Sequence, residues 1–431
     1  MKYLPRFRGT FSRGNFIIDG MKGIVMKGTM KAFYAEADWA PKAEYVLSER
    51  EKTDKRSFRA DLTYKNVRAQ ITDRPIPTIK DDEVLIRIGA CGICGSDLHT
   101  LEVDGDGYSS FASHVRFPVI TGHEYSGEVV EVGRRVKSLK PGDLVAVEQI
   151  HWCGTCRTCR AGAFNQCEKV EEAGLSRDGG FAEYGVVQEK FCCQINRLAD
   201  TLGGKLAAFE AGALAEPTCV AYNGMVVNAG GVKPGSYVVV FGAGPIGIAA
   251  IALTKAFGAA KVLAVSTNPL RNQLAMAMGA DSVMDPRELA RQGTNPGLLI
   301  AEETDGLGAD MVVEASGNFD GVYPDIIRSL GAGARVVQLG IGPASTTFDL
   351  MPFVRRNAKI IGSMGHAGNN VFPSVLRMME NGRLDMRRMV TAKYPLRDTA
   401  AGIAASGKRE LGHGKILISQ HYTAIEDSRS S

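Results

Sequence analysis

Four cysteines, Cys153, Cys156, Cys159 and Cys167, fall within fifteen consecutive residues at the spacing C-x2-C-x2-C-x7-C. A loop with that spacing wraps four thiolates around a tetrahedral ion, and zinc is its natural occupant. An iron–sulfur cluster also uses closely spaced cysteines and stays as the alternative. A second set is dispersed: Cys94 in Gly92-Ile93-Cys94-Gly95-Ser96-Asp97-Leu98-His99, His123 in Gly122-His123-Glu124, and Glu216 in Glu216-Pro217. A thiolate, an imidazole and a carboxylate leave a fourth zinc position open for substrate. This dispersed set therefore predicts a catalytic metal, and the cysteine loop a structural one.

A third motif, Gly242-Ala243-Gly244-Pro245-Ile246-Gly247, matches G-x-G-x-x-G. The apolar run Ser236 to Phe241 precedes it, and an alanine-rich helical run, Ile248 to Phe257, follows and closes at Gly258. Between a strand and a helix, Gly242, Gly244 and Gly247 permit a tight turn, and Pro245 and Ile246 open the helix whose positive end would face a pyrophosphate. About 20 residues further on, a dinucleotide site commonly places an acid against the ribose 2′-hydroxyl. Here the chain reads Val265-Ser266-Thr267-Asn268-Pro269-Leu270-Arg271, with no acid. Ser266, Thr267 and Arg271 favour a 2′-phosphate, so NADP is preferred; the alternative is NAD, with Arg271 a solvated helix residue.

These motifs need two kinds of scaffold. From Lys31 to about Ala221 the chain shows short β-type runs, Val84 to Ile88, Glu128 to Val132 and Leu144 to Val147, separated by Gly, Pro and Asp turns. From about Tyr222 strand, glycine turn and helix alternate, with strands at Tyr237–Phe241, Val262–Val265, Met311–Glu314, Val336–Gly340 and Ile360–Ser363, the pattern of a doubly wound parallel sheet. The fold class is α/β. The expected organisation is a weakly ordered N-terminal extension over 1–29, a β-rich catalytic domain over 30–221 with its metal lobe at 151–168, and a cofactor domain over 222–368. The chain then returns to the first domain over 369–422 through a helix-like segment after Phe372 and the apolar run Lys415 to Ile418, and ends in a frayed polar tail over 423–431. Met21, Met26 and Met30 leave open a start of the compact fold near Met30, and the charged stretch Glu49 to Arg68 reads as a surface insertion.

With 431 residues, 45% hydrophobic and 23% charged, the chain can bury full cores, and a net charge of +4 spread along it gives no reason to expect nucleic acid or membrane as a partner. No apolar run approaches the roughly 20 residues that span a bilayer, and the N-terminus lacks the apolar segment of a signal peptide. A small-molecule substrate and a cytoplasmic location are expected, with the clustered cysteines read as metal ligands rather than disulfides.

Gly-Ile-Cys-Gly-Ser-Asp at 92–97, Gly-His-Glu-Tyr-Ser-Gly at 122–127, the four-cysteine lobe, Glu-Pro at 216–217 and the glycines at 242–247 together resemble the medium-chain dehydrogenase/reductase superfamily. The likeness is to its zinc-containing polyol dehydrogenase branch, which includes sorbitol and threonine dehydrogenases, and runs from Met30 to about Ile418. It implies a GroES-like fold for the β-rich domain and a Rossmann fold for the second. It also implies hydride transfer between a secondary alcohol or cyclic polyol and NAD or NADP, two zinc ions per chain, and a homodimer or homotetramer. By the same resemblance Cys94, His123 and Glu216 hold the catalytic zinc, Glu124 approaches it during turnover, Ser96 takes the substrate proton, Asp97 steadies His123, and His99 ends the proton relay.

The stretch Asp104 to Tyr108, longer than the family norm, is expected to reshape the pocket mouth. With the insertion near Glu49, the lobe start His151-Trp152-Cys153 and the segment Gly362 to His366, it resembles the inositol-type subgroup, whose named members are inosose dehydrogenases. His366 is left between a substrate contact and a loop histidine without a role. The rival readings are a threonine- or sorbitol-type activity on a linear substrate, and a catalytically silent nucleotide-binding member; retention of Cys94, His123 and Glu216 argues against the second.

Overall fold

Strands buried on both faces must be apolar throughout, and Val238, Val239, Val240 and Phe241 are all fully buried. In the computed structural model, which describes residues 16–19, 22–26, 28–342 and 345–427, Tyr237–Phe241 is a central strand of a six-stranded sheet. Every pairing in this sheet is parallel, in the order Ser282–Met284, Lys261–Val265, Tyr237–Phe241, Ala309–Glu314, Leu330–Gln338, Lys359–Gly362. That is a Rossmann order, and the strand order reverses beside Tyr237–Phe241, where a ligand crevice forms at the strand C-termini. All five strands anticipated here are present. The short strand Ser282–Met284 was missed because three residues carry too little periodicity to be seen.

The β-rich part is mostly antiparallel, and its central strands are buried at most positions rather than on alternate ones. An eight-stranded sheet is built around Glu83–Gly92, Glu124–Val132 and Leu144–Val147. The return of the chain is literal. Lys415–Ser419 pairs antiparallel with Glu83–Gly92, Leu417 opposite Gly92 and Ile418 opposite Cys91. A separate three-stranded sheet joins Thr29–Trp39 to Tyr64–Pro75 and Val119–Ile120. The change of pattern near Tyr222 falls inside continuous helix: Ala215–Tyr222 runs on into the π-turns of Asn223–Asn228.

Three expectations need correction. Within the expected weakly ordered extension, Phe16–Asp19 and Lys22–Met26 pair as antiparallel strands, and Thr29 already belongs to a strand; residues 1–15, 20, 21 and 27 lie outside the described residues. The stretch Glu49 to Arg68 is not a surface insertion. Ser48 and Glu51 form a capping box on the helix Glu49–Asp54, and Glu51, Arg56, Ser57, Thr63 and Tyr64 are buried. Its buried charge is paired across the chain, Arg56 Nη2 lying 2.5 Å from Glu171 Oε1, so charge density misled where ion pairing permits burial. This segment also packs on the other unusual stretch, since Asn66 N donates to Gly107 O and Lys65 lies over the Tyr108 ring. Finally, Glu426–Asp427 is no frayed tail but pairs antiparallel with Val390–Pro395. A free sheet edge recruits backbone whatever the side chains. Residues 428–431 lie outside the described residues.

Candidate active site

The short helix Gly95–Leu101 begins with Cys94 at its N-cap, and the strand Glu124–Val132 begins one residue after His123. Asp97 ties these two loops together. Its Oδ2 accepts from Cys94 N at 2.9 Å and its Oδ1 from Gly122 N at 3.1 Å, while Oδ1 lies 3.7 Å from His123 Nδ1. One buried carboxylate thus fixes the thiol, the imidazole and the orientation of the ring, as partners behind metal ligands do. Ligand atoms of Cys94, His123 and Glu124 all lie within 4.8 Å of one another. Gly92 makes room for this, because a Cβ there would stand 2.1 Å from Glu124 Oε2.

Glu216 is not part of that group. Although burial opposes its charge, the His366 imidazole beside it holds its carboxyl below the usual value, with His366 Nε2 at 3.2 Å and Gln149 Nε2 donating at 3.3 Å. Its field still reaches the cluster. Burial opposes protonation of His123, yet Asp97, Cys94 and Glu216 together raise its pKa well above the ordinary value. His366 is therefore neither an idle loop residue nor a surface group; it is fully buried as the partner of Glu216.

Ser96 Oγ lies 3.5 Å from His123 Nε2, at the cluster. His99 stands apart, 58% exposed on the outer side of the same helix and 3.2 Å from Glu102. Among the described residues no hydrogen bond joins His99 to Ser96.

Sequence reasoning treated Lys415 only as the start of an apolar strand. Its ammonium is buried against the cluster, donating to Glu124 Oε1 at 2.6 Å and to Ile93 O at 2.9 Å. The signal was present, since a lysine beginning a wholly buried strand requires a carboxylate partner. Glu172 was missed too. Burial pushes its carboxyl up to about 7, and the charges of His123, Glu216 and His366 reach it.

The residues fit a metal. Glu124 Oε2 is buried without a hydrogen-bond partner among the described residues, and a buried polar atom demands one; the His123 ring turns Nδ1 towards Asp97 and leaves Nε2 on the side of Ser96. The four lobe cysteines likewise bring their sulfurs within 4.8 Å of one another. Backbone amides of Thr155 and Cys156 point at Cys153 Sγ, and with the Thr155 hydroxyl they lower that thiol to about 5. Burial pushes Cys159 up to about 12. A divalent cation is what holds four such sulfurs deprotonated together.

The glycine loop fits a dinucleotide. Gly242 has φ +97°, and a Cβ on Gly247 would fall 1.8 Å from Gly242 O, so the turn and the packing of helix on strand both require glycine. Gly244 caps the helix Pro245–Ala256 and faces open space, with nothing within 4 Å of a Cβ placed there. Ile246 packs against the core beneath the helix. Ser266 and Thr267 directly follow the neighbouring strand Lys261–Val265, and Arg271 lies in the first turn of the helix Pro269–Ala277.

Residues 80–197 match the family profile of the alcohol dehydrogenase GroES-like domain, and residues 245–381 that of zinc-binding dehydrogenases. Scyllo-inosose 3-dehydrogenase of Thermotoga maritima is 37% identical over 84% of this chain and 93% of its own length. A solved structure from Thermotoga maritima, described as an alcohol dehydrogenase, superposes with a TM-score of 0.85 at 34% identity, covering 90% of this chain and all of that one. A zinc-binding dehydrogenase structure from Sinorhizobium meliloti 1021 with NADP bound has a TM-score of 0.70 at 26% identity, covering 84% of this chain and 98% of that one. The chain belongs to the GroES-like, zinc-binding alcohol dehydrogenase family and is an oxidoreductase.

Proposed function

We propose that this protein interconverts a cyclic polyol and its ketone, with NADP preferred over NAD. The observation that carries this reading is the gathering of Cys94, His123 and Glu124, with Glu124 Oε2 buried and unpartnered among the described residues, in a chain 37% identical to a scyllo-inosose dehydrogenase. Cys94, His123 and Glu124 would hold a catalytic zinc, with Glu216 as the carboxylate in reserve beside His366, and Cys153, Cys156, Cys159 and Cys167 a structural zinc. When bound, zinc would supply Lewis acidity towards the alcohol oxygen, and a nicotinamide would supply the hydride acceptor.

The chain's own residues do the rest. Asp97 keeps the His123 ring oriented. The Lys415 ammonium favours the charged form of Glu124 against the burial that raises its pKa, so that carboxyl group can stay near the cluster or withdraw to the ammonium. Ser96 takes the proton of the substrate hydroxyl, and His99, at the solvent end of the helix, passes it on. Gly242, Gly244 and Gly247 with the amides of Pro245–Ala256 receive the pyrophosphate, and Ser266, Thr267 and Arg271 the 2′-phosphate. Domain limits near 29–221, 222–368 and 369–427 suit this division of labour.

Nine free cysteines agree with a reducing, cytoplasmic setting. No helix among the described residues is long and apolar enough to cross a membrane. A homodimer or homotetramer is the assembly we infer from the family. Turnover on inositols, inososes, sorbitol and threonine with each cofactor, and zinc measured by elemental analysis of the same sample, tests the reading. Two zinc ions per chain and selective turnover of a cyclic polyol are expected; exclusive turnover of sorbitol or threonine would refute the substrate class.

A further inference from the structure

The return segment does more than complete the first sheet. Its turn Arg409–Leu411 lies against Asn268, in the loop that carries Ser266 and Thr267 past the end of the strand Lys261–Val265. Asn268 Oδ1 caps the helix Pro269–Ala277, accepting from Leu270 N at 3.0 Å and Arg271 N at 3.1 Å, while its Nδ2 donates to Arg409 O at 2.7 Å. Arg271 Nε donates to His413 O at 3.1 Å. Between these two bonds Gly412, at φ +60°, is pressed so close that a Cβ would stand 2.6 Å from Asn268 Oδ1 and 2.7 Å from Leu270 Cβ. The backbone of Arg409 is therefore held at the 2′ corner of the cofactor crevice from the opposite domain.

The charges there do not balance. Arg287 is matched by Asp285 at 2.7 Å and also donates to Thr267 O. Arg271 and Arg409 have no ion pair among the described residues, and Glu410 pairs with neither. Arg271 is largely buried; that burial, and then the neighbouring Arg409 charge, work against its own. Two guanidinium groups brought together without an anion are unfavourable unless a ligand supplies one. A phosphate monoester carries nearly two negative charges at neutral pH and accepts from two guanidinium forks at once.

We propose that Arg409 is a second residue for the 2′-phosphate of NADP(H), so that cofactor selectivity is shared between the Rossmann sheet and the return segment. This rests on the NADP preference inferred above. Without phosphate the exposed Arg409 side chain stays in water; with it, Arg271 and Arg409 close on one dianion.

The test is calorimetric binding of 2′,5′-ADP and 5′-ADP to the zinc-loaded full chain, wild type and Arg409→Gln, Arg409→Lys and Arg271→Gln. Arg409→Gln is expected to weaken 2′,5′-ADP about tenfold or more, the loss that one charge-assisted hydrogen bond gives, and to leave 5′-ADP within about twofold. Arg409→Lys should recover part of that loss. Equal weakening of both nucleotides by Arg409→Gln, or of neither while Arg271→Gln abolishes the 2′-phosphate preference, would overturn the role of Arg409 and leave the NADP reading standing. A wild type that binds 5′-ADP as tightly as 2′,5′-ADP would overturn the NADP reading itself.

Discussion

Lys415 Nζ lies 2.6 Å from Glu124 Oε1, and both side chains are 1% exposed. Burial pushes Lys415 down, yet the carboxyl group beside it raises the lysine above its ordinary value; burial also raises Glu124, and the ammonium offsets only part of that. The pair stands because the ammonium has a second acceptor in Ile93 O, so little of its desolvation is left uncompensated.

Lys415→Met should therefore leave a buried carboxylate without a counter-charge. With zinc removed from both proteins, urea unfolding is expected to show a loss of about 3–5 kcal/mol, the usual penalty for breaking a buried pair from one side. Adding Glu124→Gln to Lys415→Met should restore most of it. If the double variant is no more stable than the single one, the loss is packing and the ion pair is not its cause.

What could be read in the sequence was what is local in the chain. The lobe cysteines and Gly242 to Gly247 sit on single loops, so their spacing is their geometry. The parallel strands announced themselves through runs such as Val238 to Phe241, which had to be apolar on both faces. Partnerships across the chain were hidden. Lys415 and Glu124 are 291 residues apart, and His366 and Glu216 150. No pattern in either neighbourhood shows that Glu216 turns to an imidazole while Glu124 takes the nearer place. The stretch Glu49 to Arg68 misled for the converse reason: its charges look solvated until Arg56 meets Glu171 and Glu51 meets Ser48.

Gly244 and Gly247 separate binding from folding. A methyl on Gly247 collides with Gly242 O inside the protein, so Gly247→Ala should lower the melting temperature by several degrees and weaken NADPH binding together. The Gly244→Ala methyl meets no protein atom. It should melt with the wild type, yet bind NADPH at least about tenfold more weakly, because it occupies the approach of the pyrophosphate. Fluorescence titration of NADPH checks both, and undiminished affinity in Gly244→Ala would place the pyrophosphate elsewhere.

Cys159 is, with Cys167, one of the two buried cysteines of the lobe, and burial pushes its thiol to about 12. Replacing it with serine should remove one zinc per chain, from two to one, by elemental analysis. The lobe bridges both domains, Asn165 donating to Met364 O and Asn369 to Gly162 O. Loosening it should accordingly speed proteolysis within residues 151–168 before turnover falls. Two zinc ions retained in Cys159→Ser would show that the lobe is not a four-thiolate site.

His114 provides a pH dependence separate from the metal. Both ring nitrogens are buried without a hydrogen-bond partner, and the ring stacks on Phe58 at 5.4 Å. Burial, and then the charges of Arg56 and Arg50, lower its pKa from 6.5 to about 4. The unfolded chain therefore takes up this proton first. The penalty is absent above about pH 6.5, grows as the pH falls towards 4, and is constant below that, reaching about 2.5 kcal/mol at pH 4.5. Asparagine at this position does not titrate. The stability difference between wild type and His114→Asn, from urea unfolding at pH 8, 6 and 4.5, should shift by about that amount in favour of the variant as the pH falls. Because both proteins share every other titrating group, metal ligands included, a difference that stays constant across the three pH values would mean that His114 is protonated as readily in the folded chain as in the unfolded one.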